Sequence, residues 1–397
     1  MKQPITSLQS DYPPGTSDRN PTKIVALINS RAVGDSLFYH VFCASVRRLF
    51  DHASLTVYQR DDRSYKRDLL EMNADKSEFI IAPPNYAGIT IDSFQTINDI
   101  ISSRAPLPPY IHDDWFWKAS RSNRPHILLS PEGMPEGMLP CFDNPAFLRV
   151  PDTRVEALTN QLVDHGIDPN RWFCVINFRE PGYAFRPARE AKDLNPKPFA
   201  ALVEYIIETL GGQVVRVGHP NRTPFPDRPG YADLATLEDS FMLHAFAITR
   251  ARFLVGSLSG ISHLGSAVNT PTLMTNCVSQ PQWPGCWRPH DLILYLNLFD
   301  PKGRRICTAE QHEMGIFVAG DLIRLVKDEG FKLFQNSANE LALGVNKLME
   351  TTINCQAWRE PSQPSESTAR PNRCEFPMPP KSHCRIVEYP DHSSRPS

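Results

Sequence analysis

Residues 252–275, RFLVGSLSGISHLGSAVNTPTLMT, restrict the fold more than any other stretch of the chain. Residues 253–255 are an apolar run of strand length, and 256–260 form a turn of glycine and serine around one leucine. From there Ile261, Leu264 and Val268 recur at i, i+3 and i+7, which is one face of a helix. Pro271 ends that helix, and 272–275 is the next strand. A small-residue loop between a strand and a helix offers backbone N–H groups that no helical carbonyl pairs. It also lies at the positive end of the helix dipole, so it suits a phosphate.

The same plan recurs along the chain. Residues 23–29 (KIVALIN) read as a buried strand, 30–36 as a loop, and the stretch to about 50 as a helix with Leu37, Val41, Ala44 and Leu49 on one stripe. Strands follow at 55–58, 78–82 and 126–130, while the aromatic and polar stretch 106–124 receives no assignment. The prolines of 140–151 mark a domain junction. Beyond it come a helix at 155–165, a strand at 172–178 (WFCVINF), and a long polar loop at 179–196. Phe199, Leu202, Val203, Ile206 and Leu210 then mark a helix that Gly211 and Gly212 stop. A strand at 213–217, a proline-rich loop at 218–230 and a helix at 237–249 lead to the stretch described first. A late strand at 292–299 and helices at 321–327 and 339–349 complete the pattern.

Strand alternating with helix predicts open parallel sheets with right-handed crossovers. The expected fold class is therefore α/β, with two facing Rossmann-like domains. A flexible leader (1–21) precedes an N-terminal domain (22–150), a C-terminal domain (151–353) and a Pro/Ser-rich tail (354–397) expected to be disordered. A formal net charge of −2 argues against an electrostatic nucleic-acid binder. No run approaches the length of a transmembrane helix, and the polar, proline-containing start predicts no secretory signal. The nine cysteines show no CxxC spacing and the 12 histidines no HExxH, so the expectation is a cytoplasmic protein without a metal or cofactor.

Ligands of such sheets bind beyond the carboxyl ends of the strands, here across a shared cleft. The loops at that edge are 30–36, 179–189, 218–222 and 257–263. Few acids occupy the last three, whereas Arg179, Arg186, Arg189 and Arg222 suit a diphosphate. Arginine-rich loops are often merely solvated, but Arg179 directly follows a buried strand. The fingerprint GxGxxG is absent at 256–263, which argues against a nicotinamide cofactor. GSLSG is no nucleophile elbow, because Leu258 stands where that turn needs serine. Ser257 and Ser259 fit phosphate hydrogen bonding or helix capping instead. His263 lies on the first helical turn, where ligand contact, capping and core packing are all open. The pairs Asp61–Asp62 and Asp113–Asp114 read as solvated charges rather than as a metal site.

With these residues in place, the run GSLSGISHLGSAVNTPTL resembles the donor-site motif of two-domain (GT-B type) glycosyltransferases of the bacterial heptosyltransferase kind. That motif is roughly D-[ST]-G-x-x-H-L-x-x-A-x-x-x-P-T. Gly34 and Asp35 resemble the first-loop Gly-Asp of the same enzymes. The segment from Trp172 to about Glu310 is similar to a group of bacterial glycosyltransferases with INFRE, Gly182–Tyr183, Arg216-x-Gly218 and the Ser-Gly turn in this order. The arginine after the strand also resembles that of the HxR motif in fucosyltransferases.

The resemblance implies that Asp35 is the general base on the acceptor hydroxyl and that Arg179 neutralises the departing nucleoside diphosphate. It implies that Ser259, Gly260 and His263 line the donor phosphate or sugar and that Gly218 lets the base approach the backbone. Gly34, His219 and Ser257 complete the donor-binding set. The family's acid in the Ser/Thr-Gly turn is Leu258 here, which argues against an ADP-heptose donor. The implied activity is metal-independent transfer from a nucleotide-sugar donor to a glycan, lipid-linked or protein acceptor in bacterial surface glycan synthesis. The alternatives are a non-catalytic sugar-nucleotide or glycan binder and, behind it, an epimerase or hydrolase.

Overall fold

Buried parallel strands organise both halves of the chain. The computed structural model describes residues 23–28, 32–48, 53–60, 63–82, 127–129, 145–180, 193–219, 223–277, 288, 290–316, 319–352 and 385–386. Contacts divide the chain into two compact units. The first is Met1–Ala157 with Asp239–Ala245 and Ala267–Asn269; the second is Leu158–Glu238 with Phe246–Ser266 and Thr270–Ser397.

In the first unit, β1 (Lys23–Ile28) leads to α1 (Val33–Arg47), β2 (Ser54–Arg60), α2 (Tyr65–Met72), β3 (Glu78–Ala82) and β4 (Ile127–Leu129). The four strands are parallel in the order β3-β2-β1-β4. In β1 and β2 both faces are covered, and Ile24, Val25, Ala26, Ile28, Leu55 and Val57 are all buried, whereas Glu78 and Phe79 of the edge strand β3 are exposed. The expected helix to about residue 50 ends at Arg47. There the Arg48 guanidinium turns to Asp75, donating from Nε at 3.0 Å and from Nη2 at 2.8 Å. Leu49 lies outside the described residues. The short helix α2, with Leu69, Leu70 and Met72 buried, has no counterpart in the sequence expectation. His40 of α1 is fully buried between Gln59 (2.7 Å) and Asn73 (3.1 Å). Burial pulls its pKa down to about 4, so it is neutral at physiological pH.

After α3 (Asp152–Asp164), the second unit runs β5 (Phe173–Asn177), α4 (Lys197–Glu204), β6 (Gln213–Arg216) and β7 (Tyr231–Asp233). Then come α5 (Phe241–Arg250), β8 (Leu254–Gly256), α6 (His263–Ala267), β9 (Thr272–Cys277) and β10 (Leu292–Tyr295). The parallel order is β10-β9-β8-β5-β6-β7. Numbered within the sheet, that order is 6-5-4-1-2-3, the doubly wound arrangement of a Rossmann sheet.

The helix expected at 199–210 is α-helical only to Glu204; Tyr205–Thr209 widens into a π-turn before Gly211, whose φ is +68°. The strand expected at 292–299 breaks at Leu296. Its second half, β11 (Asn297–Phe299), leaves for a separate antiparallel sheet with β12 (Arg305–Ile306) and, after α7 (Thr308–Glu313) and α8 (Ala319–Asp328), with β13 (Lys332–Phe334). Leu296, Leu298, Ile306, Ile316, Leu322 and Leu325 give that sheet a core of its own. The helix α9 (Ala338–Thr351) opens on a capping box between Ser337 and Glu340 and returns to the main core through Leu341, Val345 and Leu348. Just before it, Asn336 and Asn276 exchange hydrogen bonds: each backbone N–H donates to the other's Oδ1 at 2.7 Å. Of the expected tail, only β14 (Arg385–Ile386) is described, paired parallel with β10.

Gly265 of α6 shows how tightly the helix is seated. A Cβ there would lie 2.4 Å from Thr272 Oγ1 and 2.8 Å from Leu254 Cδ2. Gly265→Val is expected to destabilise the fold by about 1–3 kcal/mol. A lower urea midpoint with an unchanged slope would show it.

Candidate functional site

The doubly wound order of the second unit creates one switch point, between β5 and β8, where successive connections leave for opposite faces of the sheet. Ligands of open α/β sheets bind in the crevice outside the carboxyl ends of the strands at such a point. The residues leaving there are Asn177, Phe178, Arg179 and Glu180 after β5, and Ser257 to Gly260 after β8. Val217, Gly218 and His219 follow the neighbouring β6.

Arg179 is buried, and its Nε lies 2.8 Å from Asp193 Oδ1. Its backbone N–H donates to Ser257 Oγ at 3.0 Å. Ser257 N–H donates to the Asn177 carbonyl, also at 3.0 Å, so the two loops are stitched together at their first residues. Ser259 Oγ donates to Asn177 Oδ1 and lies 3.0 Å from Ser262 Oγ. Ser262 Oγ donates to Asn177 Oδ1 at 2.9 Å. Of the two serines singled out in the sequence, Ser257 accepts through its Oγ from Arg179 N–H, and Ser259 has its proton committed to Asn177. The Ser259 N–H is taken as well, by the Ser257 carbonyl at 2.7 Å.

The helix expected to follow is short. Gly260–Ser262 is a single 3₁₀ turn and α6 has only five residues. Of the three apolar residues spaced i, i+3 and i+7, only Leu264 lies in α6; Ile261 is half-buried in the 3₁₀ turn and Val268 follows the helix end, and so brief a helix sums few peptide dipoles. Leu258 is buried, packed with Met274, Cys277 and Ile293. Its side chain is a core residue and contributes no polar contact to the turn. Gly260, His263 and His219 are half-buried at the same edge.

Gly218 has φ +146°, a conformation that favours glycine. A Cβ at that position would stand 2.9 Å from Asn177 Nδ2. Arginines and acids are matched here in a way the sequence did not reveal. Arg216 is buried against the rings of Phe178 and Phe225, its Cζ 4.9 and 4.4 Å from their centroids. Its Nη2 donates to Glu180 Oε1 at 2.7 Å, and its Nη1 donates to the Thr223 carbonyl at 2.5 Å and lies 3.4 Å from Asp233. Glu180 Oε2 accepts from Thr223 N–H at 3.0 Å and from its hydroxyl at 2.6 Å. Glu180, the one acid in the loops 179–189, 218–222 and 257–263, and Asp193, just beyond them, each face an arginine. Arg186, Arg189 and Arg222, with Gly182 and Tyr183, lie outside the described residues, as do the aspartate pairs at 61–62 and 113–114.

In the first unit the order β3-β2-β1-β4 places a switch point between β1 and β4. Gly34 and Asp35 stand on the first turn of α1, which follows β1 directly. Gly34 is buried and Asp35 is half-buried. An aspartate on a first helical turn also stabilises the helix by about 0.3–1 kcal/mol. Among the described residues no group of three or more His, Cys, Asp or Glu is placed to hold a metal ion. No helix among them is long and apolar enough to cross a membrane.

No family profile matches the sequence, and no curated protein does. Among solved structures, the glycosyl transferase family 9 protein from Veillonella parvula matches with a TM-score of 0.52 at 13% identity, covering 85% of this chain and 100% of that one. The ADP-heptose lps heptosyltransferase II of E. coli gives 0.41 at 15% identity, over 64% and 84% of the two chains. The E. coli heptosyltransferase WaaC with ADP gives 0.36 at 12%, over 85% and 99%. The last two overlaps are too loose to carry an argument. The first shows a common architecture: this chain has the α/β fold of a family 9 glycosyl transferase, with a Rossmann-like sheet in each unit.

Proposed function

We propose that this chain is a glycosyltransferase that moves a sugar from a nucleotide-sugar donor to an acceptor hydroxyl without a metal ion. The observation that carries the reading is the convergence of Arg179, the Gly218 turn and the Ser257–Gly260 turn on the switch point of the second unit. Transfer builds positive charge at the anomeric carbon and negative charge on the leaving diphosphate. Donors aimed at that diphosphate stabilise the transition state more than the ground state. In this reading the Arg179 guanidinium, oriented by Asp193, supplies the cation, and the Leu258 and Gly260 N–H groups of the turn supply hydrogen-bond donors. Gly218, with no side chain, admits the nucleoside beside the β6 end, and His219 and His263 flank the donor. From the first unit, Asp35 takes the acceptor proton as the new bond forms, next to Gly34. The donor domain of this proposal is 151–353 and the acceptor domain 22–150.

The test is a panel of UDP, GDP, ADP and CMP, free and as sugar conjugates. A ligand at 100 times its dissociation constant raises stability by about 2.7 kcal/mol, a readily measured thermal shift. Arg179→Ala is expected to weaken the responding diphosphate at least about tenfold by calorimetry, because a charge-assisted contact is worth ~1.5–3 kcal/mol. Equal affinity would remove Arg179 from the site. Insensitivity of turnover to a chelator tests metal independence.

One observation favours a second reading, a sugar-nucleotide binder without transferase activity. Leu258 is buried in the core where the resembling enzymes carry an acid against the donor sugar. Binding of a sugar nucleotide with neither transfer nor hydrolysis would select this alternative; free sugar released at a rate independent of acceptor would select a hydrolase.

A further inference from the structure

We infer that Asn177 is a positioning residue: its amide sets the spacing between the Gly218 turn and the Ser259–Ser262 turn, so that both present backbone to one ligand. Asn177 is the last residue of β5, beside the switch point, and only 2% exposed. Its Nδ2 donates to the Val217 carbonyl at 2.8 Å, and its Oδ1 accepts from Ser259 and, at 2.9 Å, from Ser262. A carboxamide oxygen has two lone pairs, and both are used on the same loop while the nitrogen holds the other. None of these three bonds belongs to the strand ladder. They join the segments that follow β6 and β8, which are not neighbours in the sheet, through the strand that lies between them.

Room for the amide and its partners has been kept on both sides. A Cβ at Gly218 would meet Asn177 Nδ2 at 2.9 Å, and a Cβ at Gly256 would meet Ser262 Oγ at 2.6 Å. Buried polar groups that are fully satisfied rigidify their surroundings, and here what they rigidify is the mutual placement of two loops. As a proposal about ligand placement this rests on the nucleotide-sugar reading above, whereas the coupling of the two loops does not.

The experiment compares the full chain with Asn177→Ala, Asn177→Asp and Ser259→Ala. Backbone hydrogen exchange is read by mass spectrometry over 217–219 and 257–263, together with binding of ADP, UDP and GDP. Asn177→Ala is expected to raise exchange about tenfold in both segments at once, since a hydrogen bond is worth about 1 kcal/mol or somewhat more. Ser259→Ala should raise it in 257–263 alone. Asn177→Asp keeps the acceptor for both serines but loses the donor to Val217. It should loosen 217–219 selectively and weaken diphosphate binding further by adding negative charge, and it serves as the decisive variant if the alanine protein does not fold. Exchange rising in only one segment, or in neither, of the alanine variant overturns the coupling, as does unchanged exchange at 217–219 in the aspartate variant. Undiminished affinity of a loosened variant overturns the positioning role while leaving the nucleotide reading intact. A wild-type chain that binds none of the diphosphates overturns both the nucleotide reading and the positioning role, and the exchange data then decide the loop coupling alone.

Discussion

Replacing Arg216 by alanine is expected to destabilise the second unit by about 3–5 kcal/mol, the usual cost of removing one partner of a buried ion pair. Arg216 is 2% exposed and its partner Glu180 is 5% exposed. Without the guanidinium, the Glu180 carboxylate keeps its two bonds from Thr223 but loses its counter-charge in a site where water cannot replace it. The contacts of the guanidinium with the Phe178 and Phe225 rings would also be lost, adding a packing loss to the electrostatic one. The slowest-exchanging amides of β5 and β6 report this loss directly. A double variant, Arg216→Met with Glu180→Gln, should lose less than the sum of the single changes, because the orphaned charge is then gone. Strict additivity would mean that the two side chains do not work as a pair.

The second large effect concerns chemistry. Asp35→Asn is expected to lower turnover about 10²–10⁴-fold, the range for loss of a general base, with donor affinity unchanged. The measurement is release of nucleoside diphosphate from whichever sugar conjugate the binding panel identifies. Magnitude separates the two roles open to this side chain. As a first-turn acid on α1, Asp35 contributes at most about 1 kcal/mol to the helix, which alters the folded population little and the rate per folded molecule not at all. Preserved turnover in the asparagine variant would leave only the helix-stabilising role.

Much of the fold was legible because buried parallel strands are continuous apolar runs: KIVALI and FCVIN lie where their composition put them, as does the more exposed edge strand EFIIA. Shorter pieces escaped. The strands β12 and β13 have two and three residues, too few for any period, and Leu292 to Phe299 looked like one strand because nothing local marks the change of sheet at Leu296. The small helix α6 was overestimated for the opposite reason: the spacing of Ile261, Leu264 and Val268 spans about two turns, but only Leu264 lies in the helix. At the candidate site the turns were visible as glycine and serine, but their partners were not. Glu180 finds Arg216 36 positions away, and Asn177 finds Ser259 and Ser262 82 and 85 positions away. No periodicity carries such pairings; only the doubly wound strand order brings them together. Asn177 carries one local signal in the sequence, that of a polar residue ending a buried strand.

The reciprocal bonds between Asn276 and Asn336 have a consequence for how this molecule can vary. They fasten the end of β9 to the residue preceding the capping box of α9, 60 positions on. Within that segment β10 belongs to the main sheet, but the antiparallel sheet beyond it has its own core, so 297–334 is a cassette whose entrance and exit meet where Asn336 Nδ2 donates to the Tyr295 carbonyl at 2.8 Å. Lengthening such a closed segment costs only about 0.6 kcal/mol per doubling in loop-closure entropy. Insertions and deletions can therefore accumulate there while the register of β8, β9 and α9 stays fixed, and a tag or a foreign module grafted between β12 and β13 should be carried at little thermodynamic expense.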